Sequence, residues 1–158
     1  VGICFDYTCL PQGARTPSEE TLFKLTLGCM NILYLSTCVL ALINKQFMGR
    51  FWPNFEVFMV FQELTDDGLK PQRNRACSRL RMVATGLAAL NSESHKMEIK
   101  NLWADATFDQ AIGLLMKSDI AVTNQSDKEV CITKLRTMQK DLVAVVKEHK
   151  EKVPDSSI

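Results

Sequence analysis

A chain of 158 residues with 46% apolar and 23% charged positions is long enough for one ordinary domain and too apolar to be disordered. Nineteen Lys and Arg against eighteen Asp and Glu leave a net charge of +1. That balance excludes a strong overall field toward nucleic acid or a membrane surface, so any such binding needs local clustering of charge. The six cysteines (Cys4, Cys9, Cys29, Cys38, Cys77 and Cys131) form no Cys-x-x-Cys pair and show no metal-ligand spacing. They are read as reduced thiols of an intracellular protein. No basic segment precedes an early apolar run, so no cleavable leader is expected.

After an arm over residues 1–16, Thr16-Pro17-Ser18-Glu19 places Thr at the N-cap, Pro at the first helical position and Glu at the third. This is a capping box with the favoured proline, and it starts a helix. Residues 25–43 then run without a charge, flanked by Lys24 and Lys45. Such a run is long enough for a membrane span. The amphipathic helices further along need something apolar to pack on, which favours reading the run as the buried core of a bundle. The helix either continues to about residue 47 or breaks near residues 34–37 into an antiparallel pair.

Aromatic and β-branched residues follow Pro53, and an extended segment is expected over residues 55–61. Thr65-Asp66-Asp67-Gly68 turns the chain. Lys70, Arg73, Arg75, Arg79 and Arg81 lead into a helix, the arginines at its start, with an apolar face at Leu80, Val83, Ala84 and Leu87 and an end near residues 90–91. Arg75 and Arg79 on its outer side are either phosphate contacts or a solvated face. Residues 92–100 read as a polar connection. A helix follows from about residue 106, capped by Asp105, to about residue 122, and residues 123–126 interrupt it. Ser126-Asp127-Lys128-Glu129 is a second capping box. The last helix carries a heptad-like seam at Cys131, Leu135, Met138, Leu142 and Val145, and residues 152–158 form a tail. The expected fold is one all-α domain over residues 1–158. It is an antiparallel bundle of four or five helices with a short extended segment or small sheet near residues 50–62.

His95 and His149 are the two histidines, there is no phosphate-binding glycine loop, and no nucleophile–base pattern is recognisable. The sequence therefore reads as a non-enzyme without a metal, a cofactor or a small-molecule substrate.

Gln46-Phe47, Pro53, Val57 and Phe61, with Leu87-Ala88-Ala89-Leu90-Asn91 and Glu98-Ile99-Lys100-Asn101, resemble the coat proteins of rod-shaped plant RNA viruses of the tobamovirus type. The resemblance spans roughly residues 18–126. It implies a four-helix subunit that self-assembles into a helical rod around single-stranded viral RNA, found in the virion and the host cytoplasm. By the resemblance Asp119 and Ser126 fall on RNA-contacting positions, and Glu98 and Asp109 are carboxylates that face each other between subunits. Such carboxylates repel when ionised, so protons or divalent cations favour assembly. The family's inner-loop arginines align here with Glu93 and His95, and an arginine pair of its fourth helix with Leu115 and Met116. Phosphate neutralisation would then fall to Arg73, Arg75, Arg79, Arg81, His95, Lys96 and Lys100. Two other classes stay open: a helical-bundle interaction protein that forms no polymer, and a single-span membrane subunit anchored by residues 25–43.

Overall fold

The computed structural model describes residues 13–73, 79–122 and 125–152, and it divides into two compact units between Leu33 and Tyr34. Most of the expected N-terminal arm, and the tail beyond residue 152, lie outside the described residues.

The first unit is built on helix α1, Pro17–Ser36, which continues into the second unit for its last three residues. Its start is the one read from the sequence. The Glu19 amide donates to Thr16 Oγ1 at 3.3 Å, and the Thr16 amide donates to Glu19 Oε2 at 2.8 Å. The Thr16 hydrogen bonds, backbone first, hold the Glu19 carboxyl below the usual carboxylate range. Arg15 lies 3.5 Å over the Phe23 ring and pairs with Glu20.

The second unit is mixed α/β, and this overturns the all-α bundle. Strand β1, Val39–Ile43, follows α1 and runs parallel to β4, Leu80–Ala84, with Val39 opposite Leu80 and Ile43 opposite Ala84. Neither continuation of α1 offered by the sequence is present, neither to residue 47 nor as an antiparallel partner helix. Among the described side chains of the 25–43 run, Leu25, Ile32, Leu33, Leu40 and Leu42 are exposed while Ala41 and Ile43 are buried in the core of a mixed α/β unit, so the run is not the buried core of a helical bundle. Among the described residues no helix is long and apolar enough to cross a membrane.

Parallel strands require a long crossover. Here it comprises a 3-10 turn at Phe47–Gly49, helix α2 at Phe51–Val60, and an antiparallel hairpin of β2, Gln62–Thr65, with β3, Gly68–Pro71. The extended segment expected at residues 55–61 is therefore a helix. Pro53 sits in its first turn, where the missing N–H has no intrahelical partner to lose. Phe51, Asn54, Phe55, Val57, Phe58, Met59 and Val60 are all buried. A helix buried on nearly every side has no polar face, so its sequence shows no helical period and its aromatic composition imitates a strand. The turn at residues 65–68 forms as read. Gly68 adopts φ +115°, a conformation that strains any L side chain, so glycine is favoured there.

In place of the helix expected to end near residues 90–91, the chain from Leu80 is β4 followed by a 3-10 turn at Gly86–Asn91. Leu80 is buried and Arg81 and Val83 point outward, a period of two that the three- and four-residue spacings concealed. Gly86, at φ +57°, separates strand from turn. Residues 92–100 are not a connection but most of helix α3, Ser92–Trp103, which buries Ile99 and Trp103 one turn apart. Helix α4 is shorter than expected, Phe108–Leu115. It is capped by Thr107 rather than Asp105, through a capping box with Gln110. Helix α5, Gln125–Lys152, is the long last helix, and it packs on β2 and β3. Its buried stripe is Lys128, Ile132 and Leu135, with Leu142 half-buried; Cys131, Met138 and Val145 lie outside the described side chains.

At the centre, the fully buried Asn54 ties three segments together. Its Nδ2 donates to the carbonyls of Phe47 (3.2 Å), Met48 (2.8 Å) and Arg50 (2.8 Å), and its Oδ1 accepts from Trp103 Nε1 at 3.1 Å. Asn54→Ala strands the Trp103 indole N–H and removes the side-chain donor from the Met48 carbonyl, and should destabilise the fold by about 2–4 kcal/mol in urea unfolding. Protonating Glu19, or replacing it with Ala, should raise amide exchange in the first turn of α1. Because the Glu19 carboxyl is depressed in the folded state, its contribution is present above the ordinary carboxylate pKa and fades as pH falls through the depressed value.

Candidate functional site

The two strands of the parallel pair alternate cleanly between two faces. Val39, Ala41, Ile43, Leu80, Met82 and Ala84 turn inward, while Leu40, Leu42, Arg81 and Val83 turn outward. On the outer face Leu40 is 61% exposed, Leu42 50% and Val83 48%. The register sets Leu40 beside Arg81 and Leu42 beside Val83. Parallel sheets are ordinarily covered on both faces. An apolar outer face on a two-stranded parallel pair is therefore the most unusual surface among the described residues.

The edge of β1 is open as well. The Val39 amide donates to the Arg79 carbonyl and the Thr85 amide to the Ile43 carbonyl, both at 2.8 Å. In a parallel ladder a residue turns both its backbone groups toward one neighbour, so residues 39, 41 and 43 face β4. The N–H and C=O of Leu40 and Leu42 consequently face the other way, with no strand beside them among the described residues.

The residues proposed from the sequence lie elsewhere and are spread over several elements. Arg73 is exposed just past β3, and Arg75 lies outside the described residues. Arg79 is an internal tie: its guanidinium donates to the carbonyls of Val60 (3.0 Å) and Gln62 (2.9 Å). Burial lowers its pKa, partly opposed by the neighbouring Cys38. Arg81 stands on the outer face of β4. His95, Lys96, Glu98 and Lys100 are all on α3. Lys96 pairs with Glu93 at 2.8 Å and holds that carboxyl below its usual range, and His95 Nδ1 lies 3.8 Å from Glu98. Asp109 is exposed in the first turn of α4, and Asp119 is exposed in the turn after it. Ser126 is in the first turn of α5, its side chain outside those described. The structure thus gathers the α3 group on one helix. That helix packs on β4, the strand that carries Arg81, while Arg79 is half-buried and tied to backbone carbonyls.

Beside α3 an open groove of about 820 Å³ is lined by Met48, Met97 and Leu102 together with Glu93, Glu98 and Asn101. Among the described residues no group of three or more His, Cys, Asp or Glu is placed to hold a metal ion.

Three internal polar residues were missed by the sequence reading. One is Asn54. Another is Gln62, fully buried, whose Nε2 donates to the Ala106 carbonyl at 3.3 Å. The third is Lys128, 1% exposed, whose Nζ donates to the carbonyls of Lys117 (2.6 Å) and Ile120 (3.1 Å). Its spacing did carry a signal: Lys128, Ile132 and Leu135 fall at i, i+4 and i+7 on one helical face.

Comparison of the chain with protein-family models, curated proteins and solved structures finds no match.

Because Arg79 serves two carbonyls, Arg79→Met should lower stability by about 2 kcal/mol in urea unfolding. It should leave retention of a single-stranded RNA oligonucleotide, read by fluorescence anisotropy, at the wild-type level. A stable variant with weakened retention would return Arg79 to the RNA contacts.

Proposed function

We propose that this protein is a non-catalytic structural subunit that associates with copies of itself on the β1 side of the β1–β4 pair, through its open edge and the apolar outer face beside it. The observation that carries the reading is the exposure of Leu40, Leu42 and Val83 on a parallel pair, an arrangement that ordinarily has a covering layer. Self-association was also what the coat-protein resemblance implied. The four-helix architecture behind that resemblance is not the architecture of this chain, so the coarser statement is kept and the rod around RNA is not carried forward. Arg79 is tied to the Val60 and Gln62 carbonyls within the fold, which takes one of the candidate cations away from a nucleic-acid surface and supports association through protein surfaces.

Sedimentation velocity of detergent-free protein, from micromolar to submillimolar concentration, tests the reading. The expected result is a concentration-dependent shift to larger species. The double variant Leu40→Lys, Leu42→Lys should weaken that shift at least about tenfold while leaving the circular dichroism spectrum unchanged, because both side chains already point to solvent. A wild-type monomer at every concentration would overturn the proposal, as would polymers that form only when single-stranded RNA is added.

A further inference from the structure

Resting on that reading, we infer that the occupant of the β1 edge is β1 of a second copy, antiparallel across a two-fold axis through Ala41. The two chains then form one four-stranded sheet in the order β4–β1–β1–β4.

The argument starts from the groups that lack a strand. The outward-facing backbone groups of β1 are those of Leu40 and Leu42. Antiparallel pairing about Ala41 sets Leu40 of each copy opposite Leu42 of the other. Each of these two pairs exchanges both N–H···O=C bonds, so four hydrogen bonds form and none of the β1–β4 ladder is disturbed. Moving the axis to Leu40 or Leu42 keeps the hydrogen-bond parity but no longer overlaps all five strand residues.

The side chains agree with this register. Ala41 meets its own copy in the close, non-hydrogen-bonded pair, where Cα atoms approach to about 4.5 Å and a small residue fits. Residues directly opposite share a face, so Leu40 and Leu42 of both copies form one cluster on the outer surface, flanked by Val83 of each. The isologous contact also brings no like charges together. The sequence is uncharged from Thr37 to Asn44, and Lys45 falls opposite Thr37 of the other copy. Soluble proteins usually guard an edge strand with a lysine, a proline or a bulge inside it. Val39–Ile43 contains none of these. Edge pairing sets the Leu40 and Leu42 side chains of the two copies side by side without covering the outer face, so the apolar area buried is well below the roughly 800 Å² per partner of a standard interface. The dimer is therefore a reversible equilibrium rather than an obligate state.

Leu42→Pro is the discriminating variant. The Leu42 amide points away from β4, so proline there removes a donor from the new pairing and none from the existing ladder. With sedimentation velocity as the readout, the wild type associates and folded Leu42→Pro dissociates at least about tenfold more readily. A folded Leu42→Pro protein that associates like the wild type overturns the β1–β1 pairing while leaving self-association through the outer face standing. A wild type that stays monomeric overturns both.

Should Leu42→Pro fail to fold, Asn44→Cys decides. In this register residue 44 lies opposite Cys38 of the other copy, with Cα atoms about 5.5 Å apart, within disulfide reach. Both Cys38 and Asn44 are exposed. After mild oxidation of the Asn44→Cys variant, peptide mapping should recover an intermolecular bridge from Cys38 of one copy to the thiol introduced at position 44 of the other. Bridging through other cysteines only, or no bridge, overturns the register.

Discussion

The second unit is organised around one buried side chain that has every hydrogen bond it needs. Asn54 sits in the first full turn of α2, with no exposure to solvent. Its amide reaches the carbonyls at Phe47, Met48 and Arg50, and its oxygen takes the Trp103 indole N–H. A buried amide left without these partners would cost several kcal/mol, so the contact fixes geometry as well as adding stability. It fastens the 3-10 turn after β1 to the start of α2, and α2 to the end of α3. Phe58 packs against Trp103 with ring centroids 5.9 Å apart, which extends the same junction into the apolar core.

From that junction the other elements take their places. The Phe51 amide donates to the Ala121 carbonyl and the Ala121 amide to the Gly49 carbonyl, so the segment after α4 is laced to the start of α2. Lys128 closes the turn between Lys117 and Ile120 from α5. Arg79 binds the last carbonyl of α2 and the first of β2, tying the start of the segment that pairs with β1 to the α2–β2 junction. The Lys128 and Arg79 ties, like those of Asn54, run from side chain to backbone. They satisfy polar groups that irregular connections would otherwise leave buried without partners. The outer face of the pair is left to solvent, and association is proposed at the open β1 edge that borders it.

Legibility in the sequence followed the range of the interactions. The start of α1 could be read because a capping box is complete within four residues, Thr16 to Glu19. The turn at residues 65–68 could be read because glycine is favoured locally. The span of α5 was legible from its apolar spacing, although the buried stripe also includes Lys128. α2 could not be read as a helix, because burial on all sides erased its period. β4 was hidden because Leu80, Val83, Ala84 and Leu87 satisfy helical spacing as well as Leu80, Met82 and Ala84 satisfy alternation. α3 was passed over because a short helix that buries only Ile99 and Trp103 carries almost no apolar pattern. The candidate surface was equally concealed. Val39 to Ile43 is apolar at every position, so nothing in it separates the inward residues from the outward ones.

What the sequence determined by itself was therefore local: the cap at Thr16, the turn ending at Gly68, the long last helix, and the absence of charge across residues 25–43. What only the tertiary structure decided was the fate of that uncharged run. β1 turns one face to the core and the other to solvent because β4 pairs with it in parallel across a long crossover. Strand pairing at that separation is set by packing around Asn54 and Trp103 and by the carbonyls that Arg79 ties, and no window of neighbouring residues contains those contacts.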